Sequence, residues 1–129
     1  MYQSSRMFNH LRQLIRSQGP ISMARFMEET LYDDKLGYYH NHDPIGANGD
    51  FITAPEISQV FGELIGLWCA NIWEIMGKPQ TLQLIELGPG HATLILDALR
   101  ATKKIEKFHK SIHLNLFEVS SILRKSQNK

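Results

Sequence analysis

Residues 84–94 read LIELGPGHATL, a strand-like run that meets Glu86 and then two glycines, Gly88 and Gly90, flanking Pro89. A glycine turn between a strand and a helix lets a ligand approach the backbone closely. Three ligand classes use such turns. A phosphate-cradling P-loop needs a Lys-Ser or Lys-Thr pair after its glycines, and none follows these. A dinucleotide fingerprint wants Gly or Ala three residues after Gly90, where Thr93 stands. Pro89 also removes one backbone donor that a pyrophosphate would use. The third class is S-adenosylmethionine, which carries a sulfonium and an ammonium but no phosphate, so a carboxylate at the mouth of the turn suits it. Glu86 holds that position, and Glu118, ending IHLNLFE, is placed to accept hydrogen bonds from ribose hydroxyls. The two acids favour a methyl donor over a dinucleotide; an ordinary tight turn in a structural βαβ unit remains the alternative.

Other reactive side chains point to less. His40, His42 and Asp43 form an HxHD cluster with no further ligands nearby, and a solvated loop without metal is expected. The single cysteine, Cys69, excludes an internal disulfide and, among Leu67, Trp68, Ala70 and Ile72, reads as a buried structural thiol. Lys103, Lys104, Lys107 and Lys110 suggest an exposed helix end and loop. Trp68 and Trp73 read as packing residues on a long helix. A net charge of +1 argues against a dedicated nucleic-acid binder, and no apolar run is long enough for membrane insertion.

These residues need elements to hold them. A first helix is expected over residues 4–17, ending at the Gly19-Pro20 breaker. No acid precedes Glu28 while Arg6, Arg12, Arg16 and Arg25 are present, a composition shared with organellar transit peptides. The apolar set Met7, Phe8, Leu11, Leu14 and Ile15 favours a packed amphipathic helix instead. Ser22 is a good N-cap for a second helix running to about Tyr32, with Ile21 and Phe26 spaced for a hydrophobic staple. Residues 33–55 show no clear period, but Tyr38, Tyr39, Phe51 and Ile52 argue for an ordered loop. Pro55 suits the first turn of a long helix whose inward face would be Ile57, Val60, Phe61, Leu64, Ile65, Trp68, Ile72 and Ile75, ended by Gly77 and Pro79.

From Thr81 the period changes. TLQLIEL reads as a strand, GPGH as a turn, ATLILDALRATKK as a helix and IHLNLFEV as a second strand, with Ser120 capping a final helix. Strand, helix, strand implies parallel pairing and a right-handed crossover, hence an α/β fold. The division is a helical region over 1–78 and the start of a Rossmann-like domain over 79–129. Two parallel strands normally need neighbours and helices on both faces, so the domain reads as incomplete. A separately encoded C-terminal portion is one expected partner.

The stretch GDFITAPEISQVFGE at 49–63, followed by LIELGPGHATL, resembles the MidA family of class I S-adenosylmethionine-dependent methyltransferases. The likeness runs from about Leu11 to the end of the chain and includes GPISMARFMEETLYDDKLGYY. The resemblance implies a seven-stranded Rossmann-like sheet of which this chain is the N-terminal third or so. Mitochondrial members are complex I assembly factors that methylate a protein arginine. Glu86, Gly88 and Gly90 match the family's donor turn, and Glu118 its second-strand acid. Gly49, Asp50, Phe51, Thr53, Pro55, Glu56, Ser58 and Gln59 match its loop motif near the donor and substrate pocket. Gly49, Thr53 and Pro55 are thereby expected to border the donor, and Asp50 and Glu56 to orient a cationic acceptor as catalytic groups. His91 and Ala92 stand where the family commonly shows Arg-Gly. A protein substrate follows from the resemblance, in a bacterial cytoplasm or alternatively the mitochondrial matrix. The competing readings are an inactive remnant serving as an interaction module and, more remotely, a dinucleotide-binding oxidoreductase.

Overall fold

The computed structural model describes residues 2–41, 43–47 and 49–127, with the side chains of residues 2–4 outside that description. Helix α1 (Tyr2–Gln18) ends where Gly19 takes a φ of 85°. Helix α2 (Met23–Tyr32) begins as expected at Ser22, whose hydroxyl accepts the Arg25 amide at 3.1 Å. The buried Glu29 of α2 joins the two helices, receiving His10 Nε2 at 2.7 Å and the guanidinium of Arg25. Phe8 and Ile15 of α1 stay exposed, so its apolar stripe is only partly covered.

The described residues of the aperiodic stretch carry structure of their own. Asp33 stops α2 and turns the chain, its carboxylate accepting the amides of Leu36 at 2.7 Å and Lys35 at 3.0 Å. A single helical turn, α3 (Tyr38–Asn41), follows. Residues 44–51 then close on themselves: Phe51 N donates to Pro44 O at 2.8 Å and Gly46 N to Phe51 O at 2.9 Å. A side chain at Gly49 would place its Cβ 2.4 Å from the Pro44 carbonyl oxygen, so this closure requires glycine there. Helix α4 (Ala54–Ile57) is separated from α5 (Gln59–Ile75) by extended Ser58, at φ −149° and ψ 120°. The expected single helix from Pro55 is therefore two.

Strand β1 (Leu82–Leu87), helix α6 (Thr93–Thr102), helix α7 (Glu106–Ser111), strand β2 (Ile112–Phe117) and helix α8 (Ser121–Ser126) complete the chain. The strands pair in parallel, from Leu82 beside Ile112 to Leu87 beside Phe117, as the βαβ reading requires. Ser120 caps α8, accepting the Leu123 amide at 3.4 Å. Helix α7 was not expected. The lysine-rich run around it hides Ile105 and Phe108, and Phe108 is almost wholly buried.

The core lies between α5, α7 and the sheet. Trp73 and Phe108 pack with ring centroids 5.7 Å apart, and the Trp73 indole N–H donates to the Pro79 carbonyl at 2.9 Å. Cys69, Leu82, Ile105 and Ile112 pack around them, and burial raises the Cys69 thiol pKa. The inward face of α5 is not the large apolar stripe. It is Gly62, Gly66, Ala70 and Trp73, because α6 comes so close that a Cβ on Gly66 would lie 2.4 Å from the Ala98 carbonyl oxygen. Ile57 on α4, and Val60, Leu64, Trp68 and Ile75 on α5, face outward, which corrects the expectation that they form the buried stripe.

Candidate functional site

Strand β1 delivers its last residues to the rim of the sheet, and the chain there turns sharply. Gly88 and Gly90 adopt φ of 65° and 58°, values that favour glycine. The Gly88 amide donates to the Phe117 carbonyl at 2.8 Å, fixing the end of β1 against the end of β2. Ala92, the N-cap of α6, also sits in the left-handed region at φ 62°. A glycine would take that angle without strain, which gives the Arg-Gly of the family pattern a physical meaning at this position.

Glu118 reaches back from the end of β2. One carboxylate oxygen accepts the Gly90 amide at 3.1 Å and the other the Ser120 amide at 2.8 Å. Gln127, just past α8, donates to the Gly90 carbonyl at 2.6 Å. The turn is thus held from both sides. Each Glu118 oxygen keeps a second lone pair, so the carboxylate can still accept from a bound hydroxyl.

Glu86 is different. Burial raises its pKa, and its Oε2 is buried without a hydrogen-bond partner among the described residues. A carboxylate oxygen in that condition is matched by a cation or a donor-rich ligand group.

Two hollows meet at the turn. The larger, about 450 Å³, lies between Tyr39, Phe51, Ile52, Thr53, Gly88 and Glu118. The smaller, about 200 Å³, brings Thr53, Pro55, Glu56, Glu86, Gly88 and Gly90 together. Most of the sequence-selected residues therefore share one region. Gly49 and Asp50 border neither hollow. Gly49 closes the 44–51 loop, and Asp50 accepts the Tyr38 hydroxyl at 2.6 Å, which pushes the Tyr38 phenol up to about 12.

Sequence reasoning missed the group that ties this loop to the turn. His91 Nε2 lies 2.6 Å from Asp43 Oδ2, and its Nδ1 lies 3.5 Å from Glu56 Oε1. Thr93 donates to the same Glu56 oxygen at 2.6 Å. Of the HxHD cluster, Asp43 pairs with His91, and His40 lies with Nε2 2.9 Å from the Val119 carbonyl; His42 lies outside the described residues. The only signal for His91 was its departure from the family pattern.

A family profile described as "putative S-adenosyl-L-methionine-dependent methyltransferase" matches residues 64–129, more than half of the chain. The chain belongs to this family. It is 47% identical over 116 residues to the mitochondrial protein arginine methyltransferase NDUFAF7 of Xenopus tropicalis, covering 88% of this chain and 27% of that protein. The Homo sapiens counterpart is 46% identical over 123 residues, covering 94% of this chain and 28% of its own. Among solved structures, a COG1565 superfamily member from Burkholderia thailandensis, crystallised with S-adenosyl-homocysteine, superposes with a TM-score of 0.81 at 27% identity. That likeness covers 98% of this chain and 33% of the crystallised one. The fold is accordingly the expected one: a helical part followed by the first βαβ unit of a Rossmann-like class I methyltransferase sheet. The chain spans about a quarter of the length of its curated relatives. No helix among the described residues is long and apolar enough to cross a membrane.

Proposed function

We propose that this chain carries the donor-binding portion of an S-adenosylmethionine-dependent protein methyltransferase, with arginine as the acceptor and respiratory complex I assembly as the setting. The observation that supports it most is the pairing of Glu118 with the Gly90 amide at the rim of two parallel strands, beside the buried, unpartnered oxygen of Glu86. The bound donor supplies an electrophilic methyl on a sulfonium. The chain's own residues do the rest. Glu118 accepts from ribose hydroxyls while holding the turn, Glu86 offers its free oxygen to the ammonium, and Gly88 leaves open space above the backbone. Thr53 and Pro55 form the facing wall.

Glu56, at the smaller hollow, is placed to orient a cationic acceptor and to take up its proton. Asp50, committed to Tyr38 outside both hollows, acts at most by shaping the loop that carries Phe51 and Thr53. The two NDUFAF7 relatives named above are mitochondrial proteins, which supports the matrix rather than a bacterial cytoplasm as the compartment.

Calorimetric titration of the chain completed by the rest of the domain, with S-adenosyl-homocysteine and with NAD, tests the donor reading. Binding of S-adenosyl-homocysteine alone is expected; binding of NAD alone ends it. A second reading, that these residues work as one part of an assembly with another polypeptide, is supported by the exposed apolar face of α5 and the uncovered strand residues Ile85, Leu87 and Phe117. A separately supplied C-terminal portion of the domain is the partner that reading names.

A further inference from the structure

His91 touches both ends of the segment that walls the hollows. Asp43 stands at its start and Glu56 near its end, 13 positions later, and the one imidazole lies against both. Neutral histidine carries a single ring N–H, so it can donate to only one of these carboxylates; the imidazolium donates to both. We propose that His91 is a positioning residue whose protonated ring clamps Asp43 and Glu56 to the glycine turn, closing the 43–56 segment over the donor site. The proposal rests on the methyl-donor reading for what lies beneath the segment, and not for the clamp itself.

The mechanical path is short. Asp43 receives His91 on Oδ2 and the Ile45 amide on Oδ1 at 3.0 Å, so fixing Asp43 fixes the backbone of Ile45. Ile45 lines both hollows, and its Cδ1 would lie 2.7 Å from a Cβ on Gly90, so it packs directly on the turn. At the other end, Glu56 Oε1 is shared by His91 and the Thr93 hydroxyl. That seats α4, with Pro55 in its first turn and Thr53 before it, against the start of α6. Losing the second contact of the ring leaves Glu56 on the Thr93 hydroxyl alone and loosens that end of the segment.

The charges around the ring agree with this. The ionisable groups facing it among the described residues are Asp43 from the loop and Glu56 from α4. The hydrogen bond to Asp43 raises the His91 pKa, and partial burial opposes it with a smaller effect; both carboxylates add to the rise. The start of α6 disfavours a cation, but the dipole contributes a fraction of a charge against two full carboxylates. A raised histidine pKa gives stabilisation that is complete below the ordinary value of about 6.5 and is lost as pH rises through the folded value. The segment is closed in mild acid and loosens in base. Arginine at this position would clamp at every physiological pH; histidine makes closure respond to pH.

Amide hydrogen exchange tests the clamp, read as protection of residues 43–56 relative to residues 62–73 of α5 so that global unfolding cancels. Rates are corrected for the intrinsic pH dependence of exchange. The protein, His91→Gln and His91→Arg are compared at about pH 6 and about pH 9, below and well above the ordinary histidine value. Expected is a relative protection that drops roughly tenfold with pH in the protein, is low at both pH values in His91→Gln, and is high at both in His91→Arg. A pH-independent ratio in the protein, or full protection in His91→Gln, overturns the clamp. The same three proteins, each completed by the rest of the domain, are titrated with S-adenosyl-homocysteine. Failure to bind it removes the donor reading, while the exchange ratios still decide the role of His91.

Discussion

Glu118 and Gly90, 28 positions apart, are joined by a hydrogen bond of 3.1 Å from the glycine amide to the carboxylate. The acid expected to face the donor thus also shapes the turn beneath it. Gly90 sits at φ 58°, and a Cβ there would come 2.7 Å from Ile45 Cδ1. Gly90→Val places a β-branched residue in a left-handed angle that it strongly resists. In the chain completed by the rest of the domain, loss of S-adenosyl-homocysteine binding with nearly unchanged helical circular dichroism is expected. Normal binding by the variant would show the turn to be structural only.

Ala92 poses the opposite question, since it already occupies a left-handed angle at φ 62° and is buried. Relief of strain in Ala92→Gly is worth about 1–2 kcal/mol. Loss of a buried methyl costs about 0.8 kcal/mol, and the freer unfolded chain costs about 0.4–1 kcal/mol more. The terms cancel, so a change within about 0.5 kcal/mol is expected in the unfolding free energy measured by denaturant. Ala92→Val, with no such relief, should destabilise by more than about 2 kcal/mol. A large gain from glycine would mean that the left-handed angle is more strained than this balance allows.

Glu86 separates stability from function. Burial raises its folded pKa, so the native state holds its proton to higher pH than the unfolded chain does. Stability therefore falls as pH rises from the ordinary glutamate value through the raised one, and stays at the lower level above it. Glu86→Gln abolishes that loss. Its thermal midpoint should exceed that of the protein near neutral pH, and the two should converge in acid below the ordinary glutamate range. Affinity for S-adenosyl-homocysteine should fall in the same variant of the completed protein. Equal midpoints at neutral pH would show that Glu86 is not held at a cost.

Gly66 tests the crossing of α5 on α6. Alanine improves helix propensity by about 0.8–1 kcal/mol, which alone predicts stabilisation. Its Cβ would lie 2.4 Å from the Ala98 carbonyl oxygen and 2.6 Å from Ala98 Cα, both backbone atoms that move only with the helix. Overpacking of this kind costs about 1–3 kcal/mol and sometimes more, so a net loss in urea melts is expected for Gly66→Ala. Leu64→Ala, at a position 60% exposed, should be nearly silent by comparison in this chain.

That contrast marks where the sequence was legible. Caps and turns are local, so Ser22, Ser120 and the Gly88–Gly90 turn were readable, and both strands and their parallel pairing followed from them. The buried face of α5 was not. Gly62, Gly66 and Ala70 carry little hydropathy, and their burial depends on where α6 lies. The large residues of α5 advertised a core that these 129 residues do not close around them. Helix α7 was masked by its lysines, with Phe108 as its sole strong anchor. At the site, Glu86, Gly88, Gly90 and Glu118 sit within one βαβ unit and were found together, whereas His91 and Asp43 are 48 positions apart and meet only through the loop.

The last prediction concerns the chain on its own. Strands β1 and β2 form a two-stranded parallel sheet, and Leu87, Phe117 and Ile85 are 77%, 59% and 55% exposed. On α5, Ile75 is 73% exposed, and Leu64 and Trp68 are each 60% exposed. Parallel strands are ordinarily covered on both faces, and open edges invite association. Each 100 Å² or so of such apolar surface left wet forgoes about 2.5 kcal/mol, a large share of a small domain's stability. The 129 residues alone should therefore unfold less sharply than the completed domain, bind a hydrophobic dye and show no methyl transfer. Supplying the remaining strands, fused or as a second polypeptide whose sequence follows the rest of a curated relative, should quench dye binding, sharpen the transition and bring donor binding with it. Paired melting and titration of the chain with and without that addition decide the matter. A sharp transition with micromolar donor affinity for the chain alone would show that α5 and the sheet need no cover.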